Sequence, residues 1–297
     1  MKLNFTLLLL ALMPFLGIKA QQPIIVVEDT LEIGKFRMPG LSVTIPETDY
    51  DKAVKTWIKD LESGTKSKVM TERDEMSIFG ARLKKISPNP VNIYSKIVKL
   101  DSMLKLYVSI ETKKDEYIEK ANNAEFIKVH DYIKEFAKNQ YTDVAKAQAD
   151  AEEKKLKDLQ KELSSLENEK SKMLKTIQTD NASILSEKDN ITRQNLELNS
   201  VDVSLKEQSS MLAGMEDGPA QKEKASQVKE LEKRKKKALN EIDSSEKKIK
   251  KSNEAIEKAN KAIPENELMQ QNLRDQIILQ EGVYQKYANK LNTIKSY

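Results

Sequence analysis

The 297-residue chain has no cysteine, which excludes disulfides, thiolate zinc sites and lipid attachment through a cysteine behind a leader. Aromatic residues make up 5% of it, and the single tryptophan, Trp57, and every phenylalanine precede residue 137, so only the first half has the means to build a true globular core. Glycine and proline number eight each, and neither occurs between Lys114 and Gly214. There is one histidine, His130, with a lysine, Lys134, where a second ligand at i+4 would stand. No glycine-rich phosphate loop is present: Gly64-Thr65-Lys66-Ser67 lacks the upstream glycine. These absences leave no catalytic constellation and no cofactor-binding or metal-binding motif, and we expect a non-enzyme with no small-molecule substrate.

A long apolar run occurs only at the start, in MKLNFTLLLLALMPFLGIKAQQ. A basic Lys2, an apolar segment from Phe5 to Leu16, a Pro14 and Gly17 break and a small Ala20 predict a secretory signal peptide over residues 1–20. The apolar segment falls short of the about 20 residues that span a bilayer. An exported protein of the periplasm or extracellular space, with no transmembrane segment in the mature chain, is therefore expected. The formal charge is +4, and loss of Lys2 and Lys19 with the leader leaves +2. That near-neutrality makes nucleic acid an unfavoured partner.

What is abundant is charge, 33% of residues, arranged with helical periodicity. Residues 21–113 read as a small α+β domain of β-α-β-β-β order. Leu41, Val43 and Ile45 alternate as a half-buried strand does. Tyr50, Ala53, Val54, Trp57, Ile58 and Leu61 then share one face of an amphipathic helix, with Thr48 and Asp51 as its capping pair. Apolar, β-branched runs follow around 68–71, 76–86, 91–99 and 103–110, separated by turn signals. Trp57 is the expected core anchor.

From residue 114 the grammar changes. With Leu156 at heptad position a, Leu163, Lys170, Ile177, Ile184, Ile191, Leu198, Leu205 and Leu212 follow at intervals of seven, and Leu159, Leu166, Met173 and Val201 occupy d. This predicts a first coiled-coil arm over 114–212, a hairpin turn over 213–220 at Gly214 to Pro219, and a second arm over 221–297. Val228, Lys235, Ile242, Ile249, Ile256 and Ile263 form the a positions of the second seam, with a break or kink expected near Pro264. Folding back near Gly218 sets Ile184 opposite Ser252, Ile191 opposite Ser245, Gln194 opposite Ile242 and Lys235 opposite Val201. Residues 150–212 carry thirteen acids and ten bases, and 221–262 carry eight acids and fourteen bases, so unlike arms meet. The basic run Lys233, Arg234, Lys235, Lys236 and Lys237 then places four of its five members outside the seam. It is expected to be solvated and to pair with the other arm. Carboxylates such as Glu152, Glu153, Glu167, Glu169, Asp180 and Glu187 are expected on solvated faces, and Asn181-Ala-Ser and Asn190-Ile-Thr fit the glycosylation pattern. Phe126, Tyr132, Phe136, Tyr141, Tyr284 and Tyr287 are expected to seal the hairpin base.

The stretch SVTIPETDYDKAVKTWIKDLE, followed by a β-rich tail and a long hairpin, resembles uncharacterised exported coiled-coil proteins of Bacteroidota. The resemblance implies no catalytic residues. The leading expectation is a non-enzymatic cell-envelope protein, a small docking head on a coiled-coil spacer, acting in structural or protein-protein contacts with unknown protein partners or as a homo-oligomer. Two alternatives are a periplasmic holdase similar in style to the Skp chaperones and polyanion binding through the basic arm.

Overall fold

A computed structural model describes residues 23–121 and 123–297, and the expected signal peptide lies outside them. The chain divides into two compact units, one built from residues up to Lys155 together with Gln280–Tyr297, the other from Leu156–Leu279. A small N-terminal antiparallel sheet is followed by two long helices that pack on each other as a hairpin.

In the first unit the strands are β1 (Val26–Ile33), β2 (Phe36–Pro46), β3 (Met70–Glu72), β4 (Glu75–Ala81), β5 (Val91–Lys99), β6 (Met103–Lys113) and β7 (Glu116–Tyr117). They pair in the order β1-β2-β6-β5-β4-β3, with β7 on β6. Helix α1 spans Tyr50–Glu62, and α2 (Asn123–Ala213) begins in this unit. Alternation decides the two sides of the sheet: Leu104, Leu106, Val108 and Ile110 of β6 join the core, while Lys105 and Tyr107 point away from it. The core side receives Ala53, Trp57 and Leu61 from α1 and Val129, Ile133 and Phe136 from α2. Trp57 is fully buried, meets Phe136 edge-on at a centroid distance of 4.9 Å, and donates its indole N–H to Ser95 Oγ at 2.9 Å. A buried indole with a satisfied donor is the anchor that the sequence predicts.

Two features differ from expectation. Two strands precede α1 and five follow it, three more strands than the β-α-β-β-β series. The cap of α1 is Asp49, whose carboxylate accepts the Lys52 N–H at 2.9 Å, and not Thr48. Glu47 sits at φ +54°, a left-handed turn that leaves Thr48 buried with its hydroxyl donating back to Pro46 O at 3.0 Å.

The β1–β2 hairpin curls over the outer side of the sheet. Gly34 N–H at its tip donates to Glu75 Oε1 on β4 at 3.3 Å, although in a flat sheet these strands would be about 14–19 Å apart. Leu31 and Met38 are buried by the curl, and Ser109 Oγ donates to Pro39 O at 2.6 Å. The bend passes through Gly40, where a Cβ would stand 2.2 Å from Val108 O, so only glycine fits.

In the second unit α2 ends at Ala213 and α3 (Pro219–Ser296) begins after the turn, with proline in its first turn as the sequence predicts. Cross-helix bonds follow the expected register. Ser245 Oγ donates to Glu187 Oε2 at 2.7 Å and accepts from Asn190 Nδ2 at 2.9 Å, two residues within the turn before Ile191, and Ser252 Oγ donates to Asp180 Oδ1 at 2.9 Å, one turn from Ile184. The small residues Ala238, Ser245, Ser252 and Ala259, which stand at d positions of the second seam, are all buried. α3 passes through Pro264 without the expected break. The lost backbone bond costs roughly 3 kcal/mol. Buried Ala259 before it, and the Asn266 side chain donating to Leu166 O at 3.1 Å after it, hold both flanks to α2.

Candidate interaction surfaces

The basic run of α3 is largely neutralised within the hairpin. Lys233 pairs with Glu230 at 3.1 Å, Lys235 with Asp202 at 2.8 Å, and Arg234 donates through Nε (3.0 Å) and Nη2 (2.5 Å) to Glu197 Oε1. Lys236 and Lys237 stay exposed. Among the carboxylates considered from sequence, Glu152, Glu167, Asp180 and Glu187 are engaged within the chain. Glu187 accepts from Lys248 and Ser245, which holds its pKa below the ordinary carboxyl range. Glu152 accepts from Lys155 and Gln280, which outweighs the upward push of its burial. His130 is half-exposed, with Nδ1 3.0 Å from Asp131 Oδ1. This geometry gives Glu152, Glu187 and His130 polar partners within the chain.

The aromatics expected at the hairpin base all belong to the first unit. Phe136 lies in the core, Phe126 and Tyr132 pack on it, Tyr141 is buried beside Ala145 and Ile294, and Tyr284 and Tyr287 are half-buried.

One buried polar cluster gave no signal in the sequence. Lys290 Nζ, on a side chain 5% exposed, lies 2.6 Å from Glu47 Oε2 and 3.1 Å from Gln148 Oε1. It also sits 5.5 Å from the centre of the Tyr141 ring. Glu47 further accepts from Gln148 Nε2 at 3.2 Å and Tyr141 OH at 3.4 Å. Burial, followed by the neighbouring Glu47 charge, pushes the Tyr141 phenol well above its ordinary value. The cluster ties the turn before α1 to α2 and to the end of α3.

On the outer side of the sheet, Glu111 accepts from Asn92 Nδ2 (2.8 Å), Tyr94 OH (3.2 Å) and the Asp115 N–H (2.9 Å), and these bonds lower its pKa. Burial together with the Glu111 charge raises the Tyr94 phenol to about 12. Asp29 is held by Lys105 and Ser42, both at 2.9 Å. A carboxylate with this many donors is a fastener and not a free base. Beside these fasteners, Phe79 stacks edge-on against Tyr94 at 6.0 Å and stays half-exposed, as does Met70 on β3, while Phe36 near the β1–β2 tip is largely exposed.

In the second unit, Leu174, Leu185, Leu196 and Val203 of α2 are roughly half to two-thirds exposed, outside the seam. No helix among the described residues is long and apolar enough to cross a membrane. No protein-family model matches this chain, and no curated protein matches it.

Proposed function

We propose that this chain is a non-enzymatic, exported protein of the cell envelope that works by protein-protein contact, docking through the sheet unit while the coiled-coil hairpin serves as spacer and assembly surface. The observation that carries this reading is the exposure of Phe36 (74%), Met70 (55%) and Phe79 (47%). Met70 lies on β3, which ends the pairing order of the sheet and leaves backbone groups open to an added strand. Large apolar side chains kept in water beside an open edge mark a contact surface. The ion pairs of Lys233, Arg234 and Lys235 weigh against polyanion binding through the basic run. The exposed leucines of α2 are the observation that favours the holdase alternative, which requires the purified protein to slow aggregation of an unfolded outer-membrane protein.

The test places a photo-crosslinking residue at position 36, 70 or 79 in the intact cell envelope. The reading expects one shared adduct with a protein other than this chain from these positions, lost when the other two are changed to Ser. Adducts absent from all three positions would overturn it.

A further inference from the structure

Eleven residues of α-helix return to within about 20° of the starting direction. Leu174, Leu185 and Leu196 follow that interval, and Val203, seven residues on, rejoins them, so the four lie within about 40° of one line along α2. The other residues on that line, Gln178, Asn181, Thr192 and Asn199, are exposed and uncharged. The line spans about 44 Å. Its borders carry opposite signs. Lys188 and Lys206 lie about 50° to one side, and Asp189 and Glu207 about 50° to the other. All four are exposed, and none forms an ion pair within the chain among the described residues. Lys170, on the same border as Lys188, is already paired with Glu267 at 2.7 Å.

We infer that this face of α2 is a self-association surface, covered by the same face of a second copy running parallel and in register. Parallel pairing brings one border against the opposite border of the copy, so Lys188 meets Asp189 and Lys206 meets Glu207, each twice by symmetry. Antiparallel pairing sets like borders together, lysine against lysine. Asn181 and Asn199 each meet their own counterpart in the parallel arrangement, the use of a polar seam residue that fixes register and copy number. This inference concerns α2 and stands apart from docking through the sheet unit.

The cysteine-free chain makes the test direct. Asn181→Cys and Asn199→Cys, each alone, are expected to oxidise to disulfide-linked dimers, while a co-refolded mixture of the two gives no mixed dimer. Mixed dimers without the single-variant ones would establish antiparallel pairing and overturn the inference, as would a monomer by light scattering at about 50 µM. Leu185→Glu with Leu196→Glu is expected to give a monomer of unchanged helical circular dichroism, because both positions face solvent. Lys188→Glu with Lys206→Glu is expected to weaken association about tenfold, and adding Asp189→Lys and Glu207→Lys to restore it. Failure of that rescue would also count against the parallel arrangement.

Discussion

Replacing Lys290 by Met removes the cation from the buried cluster while keeping most of its aliphatic volume, so the cavity contribution is small. Breaking a fully buried ion pair costs roughly 3–5 kcal/mol, because the surviving charge is stranded. Here the survivor is Glu47, whose side chain is 26% exposed and which keeps Gln148 Nε2 at 3.2 Å and Tyr141 OH at 3.4 Å. Water and these donors offset part of the loss, and the expected cost is about 2 kcal/mol. The reverse change, Glu47→Ala, strands an ammonium that is 5% exposed, and about 3 kcal/mol is expected. The double variant is expected to cost about 1–2 kcal/mol less than the sum. Trp57, the only tryptophan, lies in the core of the same unit, so its fluorescence during urea unfolding reports on that unit alone. If Lys290→Met cost less than about 0.5 kcal/mol, or more than Glu47→Ala, the assignment of a coupled pair with a deeper cation would be wrong.

Gly40→Ala brings a Cβ to 2.2 Å from Val108 O and is expected to cost at least about 3 kcal/mol, or to leave Trp57 in a non-native environment by fluorescence. Pro264→Ala restores a helical hydrogen bond at an unbroken site and is expected to raise the helix melting temperature by circular dichroism, with a gain of about 1–3 kcal/mol. Glu111 has its pKa lowered by hydrogen bonds from Asn92 and the Asp115 N–H, so its folded value lies below the ordinary 4.5. The unfolded chain therefore binds its proton more readily, and the contribution of Glu111 is complete above that ordinary value and lost as pH falls through the folded one. Urea midpoints read from Trp57 are expected to fall more steeply in that acid window for the native chain than for Glu111→Gln.

The hairpin was legible because each seam residue recurs every seven positions and its partner lies at a distance fixed by a single turn. Ser245 and Ser252 announced buried small layers for the same reason. Trp57 was legible as a core anchor from the apolar face of α1. β1 was less so: in VVEDTLEI only Leu31 is buried, and its burial comes from the curl of the hairpin and not from alternation on a flat sheet. The cap of α1 moved one residue because the left-handed turn at Glu47 is a backbone choice that a glutamate does not advertise. The Lys290 cluster left no trace, since its ion pair joins residues 243 apart and each is an ordinary charge in its own neighbourhood. The helix runs on through Pro264 because proline propensity is local, whereas the contacts that hold its flanks come from the other helix.

The sheet unit is discontinuous in sequence: Gln280–Tyr297 complete it only after Leu156–Leu279 have been made. On the ribosome, the strands and α1 emerge early and must wait, with the surface that later receives Ile294 and Lys290 still open, until the whole hairpin has followed. Closure entropy grows only with the logarithm of the intervening length, so the long insertion weighs little on final stability. Its weight falls on the order of events, since the first unit to be synthesised is the last to be finished.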